Sequence, residues 1–162
     1  MYDKILVPLD GSKLSECALE HVKTLVTGCQ ASQVVLLTVL EEVQPYYTFV
    51  ESQEAIREKS EQWRKTENEI KQKAESYLKT MADSLKKDGI TVKTVSIQAE
   101  LEINHGTAES IMNYAQNNKM DLIIMSTHGR SGVSRWAFGS VADKVVSHSK
   151  IPVLTITPKG CR

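Results

Sequence analysis

The sequence predicts an α/β domain built on a mostly parallel sheet, and three observations support this fold class. Short apolar runs alternate along the chain with amphipathic segments at helical spacing. The runs are continuously apolar and rich in β-branched residues, which is typical of strands covered on both faces. The segments between them are long enough to supply the crossover that each parallel pair needs. We expect one domain over residues 1–162, because domains commonly hold roughly 100–200 residues.

The first quarter of the chain predicts two strands joined by a helix. Residues 4–9 are a short apolar run that ends at the turn sequence Asp-Gly-Ser of residues 10–12. Ser12 is a suitable N-cap for the helix, and Gly28 is suitable for its left-handed C-terminal cap. Residues 34–39 are continuously apolar and predict the second strand.

Residues 40–70 predict a long loop followed by a helix extension. A charged helix is predicted from about residue 51 to residue 87, where Asp88 and Gly89 end it. Its apolar stripe is thin before residue 70 and dense after it. We therefore expect the second half to pack on the sheet, and the first half to extend past the sheet or cover a partner.

The second half of the chain predicts three further strands, at residues 90–97, 121–125 and 151–156. Two helices separate these strands. Thr107 is a suitable N-cap for the first helix, and either Gly139 or Ser140 begins the second.

Composition excludes several classes of protein. Twenty Lys and Arg balance twenty Asp and Glu, whereas nucleic-acid binders usually have a basic excess. The apolar runs are far shorter than the roughly 20 residues that span a bilayer, and the first residues do not resemble a signal peptide. Three cysteines without metal-ligand spacing suggest free thiols in a reducing compartment. We expect a cytoplasmic protein with neither a membrane nor a nucleic-acid partner.

Two predicted strand ends continue into polar loops that contain glycine, at residues 10–12 and 126–132. Ligands of open α/β sheets bind beyond the carboxyl ends of the strands, where the strand order reverses. The two loops face one crevice if their strands are neighbours. Asp10 is then a candidate ligand-binding residue, although Asp in this position also commonly caps a turn.

The second loop and the helix after it have the features of a phosphate cradle. Gly129 and Gly132 allow close backbone approach, and Arg130 adds a positive charge. The helix that begins at Gly139 and Ser140 presents free N–H groups and the positive end of its dipole. No Walker-type P-loop, dinucleotide fingerprint, nucleophile elbow or zinc motif is present.

Four pieces of the sequence together resemble one known family. They are KILVPLDGS at residues 4–12, MSTHGRSG at 125–132, WAFGSVA at 136–142 and IPVLTI at 151–156. The chain is similar over nearly its whole length to the universal stress protein family. ATP-binding members have the pattern Gly-x2-Gly-x9-Gly-(Ser/Thr), and here Gly129, nine intervening residues and Gly139-Ser140 match it. Ser126 stands where the pattern has its first glycine.

The resemblance implies an open, doubly wound, Rossmann-like sheet of five parallel strands in the order 3-2-1-4-5, with helices on both faces. It also implies a binding site for ATP, with Mg²⁺ as a possible companion ion. Asp10 would contact the ribose and a metal-bound water, Val39 would offer its backbone to adenine, and Pro8 and Met125 would flank the nucleoside. The phosphates would be held, largely through backbone N–H groups, by Gly129, Arg130, Gly132, Ser140 and Val141. The implied binding set also includes Ser126, Thr127, His128, Ser131, Gly139 and Ala142. His128 has an alternative interpretation as a loop brace, because no carboxylate accompanies it in the sequence.

The implied function is adenine-nucleotide binding by a regulatory stress-response protein. A homodimer would form by antiparallel pairing of the last strand, from Pro152 to Ile156. We predict no catalytic residues, because no second acidic residue is placed beside Asp10 to hold Mg²⁺. One alternative is a slow Mg²⁺-dependent ATPase or phosphotransferase that uses Asp10 and Arg130. Another is a nucleotide-free interaction module that uses the long helix and the edge strand.

Overall fold

Strands and helices alternate along the chain as the sequence predicts. The structure is a computed structural model that describes residues 2–41, 52–99, 106–128 and 138–158. The elements within those ranges are β1 (Lys4–Pro8), α1 (Lys13–Glu16), α2 (Ala18–Cys29), β2 (Gln33–Leu40), α3 (Gln53–Lys87), β3 (Val92–Gln98), α4 (Thr107–Asn117), β4 (Leu122–Ser126), α5 (Ser140–His148) and β5 (Val153–Ile156).

The five strands form one parallel sheet in the order β3-β2-β1-β4-β5. This order confirms the predicted fold class and places β1 beside β4. The chain leaves β1 toward β2 and β3 and later returns to the other side of β1, so the strand order reverses there. Pro8 at the end of β1 is level with Leu37, and Leu6 is level with Ile123.

Helices cover both faces of the sheet. Alternate strand residues point to opposite faces, so Ile5 and Val7 belong to one core cluster and Leu6 and Ile123 to the other. Residues of α2 and α3 complete the first cluster, and residues of α4 and α5 complete the second. Burial on both faces explains why the strands are continuously apolar instead of alternating.

The two halves of α3 have different environments, as expected. Leu78, Ala82 and Leu85 in the second half are buried in the core. In the first half, Trp63 and Ile70 line a groove against the ends of β2 and β3. The helix has 35 residues and is therefore about 52 Å long, roughly twice the length of β2.

Two predicted helix caps are displaced. Helix α2 continues through Gly28 to Cys29, and Gln30 takes the left-handed conformation with φ of 55°. Thr107 is the first residue of α4, and Gly106 is the N-cap. The cap predicted at Ser12 is confirmed, and its side chain accepts a hydrogen bond from the Ser15 N–H. Of the two residues predicted to begin the last helix, Ser140 is the first helical residue and Gly139 is its N-cap.

The state of the thiols differs from the expectation. Cys29 is a free thiol, but Cys17 is disulfide-bonded, so the prediction of free thiols is wrong for Cys17. Pairing depends on which sulfur atoms the fold brings together, and a count of cysteines cannot show that.

Within the four described ranges, no helix is both long enough and apolar enough to span a bilayer.

Candidate functional site

The two loops predicted to share a crevice leave neighbouring strands at the same edge of the sheet. Strand β1 ends at Pro8 and β4 ends at Ser126, and the two strands are paired in parallel. Val39 lies one residue before the end of β2, on the other side of β1. The carboxyl edge of the sheet therefore assembles the residues that the sequence places at three separate positions.

The Asp10 carboxylate is held in a tight turn. Its Oδ1 accepts hydrogen bonds from the Ser12 backbone N–H at 2.9 Å and from the Ser12 hydroxyl at 2.6 Å. Gly11 between them has φ of 83°, a left-handed conformation that favours glycine. The turn-capping interpretation of Asp10 is thus confirmed. It does not compete with ligand binding, because capping fixes the orientation of the carboxylate at the edge of the sheet.

Ser15, in the short helix α1 that follows this turn, contributes to the position of Asp10, and sequence reasoning missed it. Its side chain is buried, and its hydroxyl donates to the Ser12 carbonyl at 2.8 Å. The same hydroxyl accepts from the Asp10 backbone N–H at 3.4 Å. The available signal was the spacing of Ser12 and Ser15, which allows a hydroxyl one helical turn away to return to the loop.

Tyr77 of α3 packs against the segment that carries Asp10, Ser15 and Glu16. Its hydroxyl is buried and faces the side chains of Ser15 and Glu16. Burial, followed by the negative charges of Glu16 and Asp10, raises the pKa of Tyr77 to about 12. The hydroxyl therefore stays protonated and able to donate at neutral pH. In the sequence, Tyr77 lies in the dense second half of the apolar stripe of α3, and nothing there marks it as a site residue.

The loop after β4 is braced by its own side chains. The buried Ser126 hydroxyl accepts a hydrogen bond from the His128 N–H at 3.2 Å. The His128 ring nitrogen Nδ1 lies 2.8 Å from the Thr127 hydroxyl, which agrees with a bracing role for this histidine. Among the described residues, the only non-glycine residues with positive φ are Gln30 and Lys119. Ser126 therefore replaces the glycine of the family pattern without backbone strain.

Gly139 joins the N-terminus of α5 to the loop after β4. Its N–H donates to the Thr127 carbonyl at 2.8 Å. A Cβ at this position would lie 3.3 Å from the Thr127 oxygen and 3.9 Å from the His128 Cα, so even a methyl group requires adjustment. Ser140, the exposed first residue of α5, follows directly. The first turn of α5, whose N–H groups have no partner within the helix itself, thus begins beside the end of β4.

The remaining predicted site residues fall into two groups. The side chains of Met125 and Ala142 are buried in the core, and Val141 packs against the same cluster, so Val141 and Ala142 would reach a ligand through their backbone. The other group lies outside the described residues and comprises Gly129, Arg130, Ser131 and Gly132. Within the described ranges, no group of three or more His, Cys, Asp or Glu residues is arranged to hold a metal ion.

Similarity to known proteins extends over the whole chain. The family model for the universal stress protein family matches residues 1–157. Universal stress protein MJ0577 of Methanocaldococcus jannaschii is 32% identical and the match covers 99% of this chain and 98% of that protein. Universal stress protein YxiE of Bacillus subtilis is 28% identical over 96% of this chain and 99% of its own.

Solved structures show the same fold. The structure of MJ0577 has a TM-score of 0.78 at 29% identity and covers 99% of both chains. A universal stress protein in complex with cAMP has a TM-score of 0.64 at 18% identity over 98% of both chains. A family member from Arabidopsis thaliana with AMP bound has a TM-score of 0.61 at 16% identity, over 98% of this chain and 93% of its own. The chain therefore belongs to the universal stress protein family.

Proposed function

We propose that this protein binds ATP at the carboxyl edge of its sheet and acts as a regulatory protein in the stress response. The observation that supports this most strongly is the contact between Gly139 and Thr127. It makes a Cβ at residue 139 a tight contact and sets the N-terminus of α5 beside the end of β4. Such a helix start favours phosphate groups.

The described residues suit a nucleotide laid across this edge. Asp10, fixed by Ser12, would accept hydrogen bonds from the ribose hydroxyls. Val39 would offer backbone groups to adenine from β2, while Pro8 and Met125 would flank the nucleoside. The first turn of α5, from Ser140, would hold the phosphates through backbone N–H groups. Bound Mg²⁺ would neutralise phosphate charge, with Asp10 as the residue that holds its water.

The adenine class of ligand has support from relatives, and ATP has support from the sequence pattern. The cAMP and AMP complexes show that family members of this fold bind adenine nucleotides. We choose ATP for this chain because Gly129 and Gly139-Ser140 have the spacing of the ATP-binding pattern. We propose binding as the activity, with at most slow Mg²⁺-dependent hydrolysis, which an Asp10→Ala variant would abolish.

We also propose that the protein is a cytoplasmic homodimer paired through β5. In the described sheet β5 pairs with β4 on one side only, and Leu154 is 36% exposed there. Phe138 and Val146, before and within α5, are also exposed. An apolar edge strand is an aggregation hazard unless another strand covers it. A second copy placed antiparallel would cover it.

The experiment that tests the proposal starts with protein purified without added nucleotide. Denaturation should release adenine nucleotide that mass spectrometry identifies. Adding ATP with Mg²⁺ to emptied protein should raise the melting temperature, because a ligand that binds only the folded state stabilises it. Emptied, folded protein that shows no shift with ATP, ADP or AMP would contradict the proposal. The exposed residues of α3 would then direct the search toward a protein partner.

A further inference from the structure

The hydrogen bonds of the Asp10 loop converge on a residue that is not part of the binding pattern. The Ser15 hydroxyl accepts from the Asp10 N–H and donates to the Ser12 carbonyl. Ser12 in turn donates twice to the Asp10 carboxylate. The Ser15 N–H also donates to the Ser12 hydroxyl, so five side-chain hydrogen bonds link Asp10, Ser12 and Ser15. The position of this carboxylate therefore depends on Ser15.

A second residue supports Ser15 from the core side. The Tyr77 hydroxyl is buried and interacts with the side chains of Ser15 and Glu16, yet it makes no hydrogen bond of normal geometry to any described residue. A buried hydroxyl without a well-formed hydrogen bond is unfavourable, and such groups are rare in folded proteins. A small movement of α1, which carries both residues, would bring Ser15 or Glu16 into hydrogen-bonding geometry with this hydroxyl. Tyr77 is thus placed to stabilise a shifted position of the loop.

We propose that Ser15 and Tyr77 are positioning residues that orient Asp10 toward the ribose of the bound nucleotide. The inference rests on the proposed function and adds two residues that reach the ligand only through Asp10. Ser15 sets the resting geometry of the loop. Tyr77 gains its hydrogen bond when the nucleotide draws Asp10 toward the ribose hydroxyls. The two residues therefore select for a ribose that has those hydroxyls.

The test measures the affinities of ATP and of 2′,3′-dideoxy-ATP, which lacks both ribose hydroxyls, by calorimetry. The wild type should prefer ATP. Ser15→Ala should reduce the preference about five- to tenfold, which is the effect of about one hydrogen bond. Tyr77→Phe should also reduce the preference without lowering the melting temperature of the empty protein, because the lost hydroxyl makes no hydrogen bond of normal geometry to the described residues there. A purely structural residue would change both affinities equally.

Matched controls exist elsewhere in the chain. The Ser149 hydroxyl also donates to a backbone carbonyl and accepts from a backbone N–H, at Ile151, so Ser149→Ala should leave the preference unchanged. Tyr114→Phe removes another partly buried hydroxyl, on α4. In an Asp10→Ala background, Ser15→Ala should have no further effect on the preference.

The outcomes separate this inference from the proposed function. The inference would be overturned if the wild type binds ATP and the folded Ser15→Ala and Tyr77→Phe variants keep the full preference for ATP. The proposed function would then still stand. Equal wild-type affinity for ATP and dideoxy-ATP would also overturn it. No ATP affinity at all would remove the proposed function and the inference together. If Ser15→Ala does not fold, Tyr77→Phe decides the question alone.

Discussion

Glycine is required at two positions near the candidate site for different physical reasons. Gly11 has φ of 83°, which side chains with a Cβ rarely adopt. Gly139 has an ordinary extended conformation, but its backbone approaches the Thr127 carbonyl so closely that a Cβ would lie only 3.3 Å from the oxygen and force it to move. Ser126 needs neither property, and its hydroxyl instead braces the loop. The sequence pattern treats all such positions alike, and only the backbone conformation and its neighbours distinguish them.

Gly11→Ala should destabilise the protein by about 1–2 kcal/mol, because it forces a Cβ into the left-handed region. Gly28→Ala is the matched control with the opposite sign. Gly28 lies within α2 with open space around its Cβ position, so alanine should stabilise by about 0.5–1 kcal/mol. Urea denaturation measures both changes. A Gly11→Ala variant as stable as the wild type would exclude the left-handed turn beside Asp10.

Tyr77 should make stability depend on pH in the alkaline range. Its pKa is about 12 in the folded state against the ordinary 10, so the unfolded chain loses this proton first. The contribution of protonated Tyr77 to the free energy of unfolding is complete below pH 10 and is lost as the pH rises from 10 toward 12. Unfolding of the wild type and of Tyr77→Phe should therefore differ by a constant amount below pH 10, with the wild type losing relative stability above it. Parallel curves up to pH 12 would contradict the raised pKa.

At the scale of elements, the sequence predicts where helices and strands lie better than where they end. Helix α2 passes the predicted cap at Gly28 because the chain must reach the register of β2, where the Ser32 and Gln33 N–H groups bond to the Asp3 carbonyl. That contact belongs to the sheet and leaves no trace in local sequence. Tyr77 was missed for the same reason, since its contacts with Ser15 and Glu16 join elements far apart in the chain. Ser15 is different, because its contacts with Asp10 and Ser12 are local.

Gln30→Gly should stabilise the protein by up to about 1 kcal/mol, because Gln30 occupies a left-handed cap with φ of 55°. Lys119, which follows α4, has φ of 54°, so Lys119→Gly should also stabilise the protein. Gln116→Gly inside α4 is the control and should destabilise by about 1 kcal/mol. Thermal unfolding of the three variants checks the signs. Destabilisation by both cap variants would mean that these ends are not left-handed.

At the scale of the whole molecule, the two edges of the sheet differ. Strand β3 is flanked by α3, which bonds to it through Ser96 and Gln98, whereas β5 presents exposed Leu154. The order of the strands was implied by family resemblance, because local periodicity shows that strands exist but not which ones are neighbours. That order, with β1 beside β4, is what turns two separate loops into one candidate site.

The proposed dimer predicts that Leu154→Lys produces monomers, because a charge on an edge strand opposes strand pairing. Sedimentation velocity should show a dimer for the wild type and a monomer for the variant. Ile56→Lys is the control, since Ile56 is a similarly exposed apolar residue on α3. A wild type that sediments as a monomer, or a Leu154→Lys variant that remains dimeric, would exclude pairing through β5.

The measurement that tests the central claim most directly is calorimetric titration of ATP with Mg²⁺ into emptied wild type and two glycine variants. The account predicts that the wild type binds one ATP per chain. Gly139→Val should weaken binding at least about tenfold, because the side chain displaces the N-terminus of α5 from Thr127. Gly106→Ala changes the N-cap of α4, where a Cβ meets only an ordinary contact of 3.5 Å, and should bind like the wild type. A folded Gly139→Val protein that binds ATP as tightly as the wild type, or a wild type that does not bind ATP, would contradict the account.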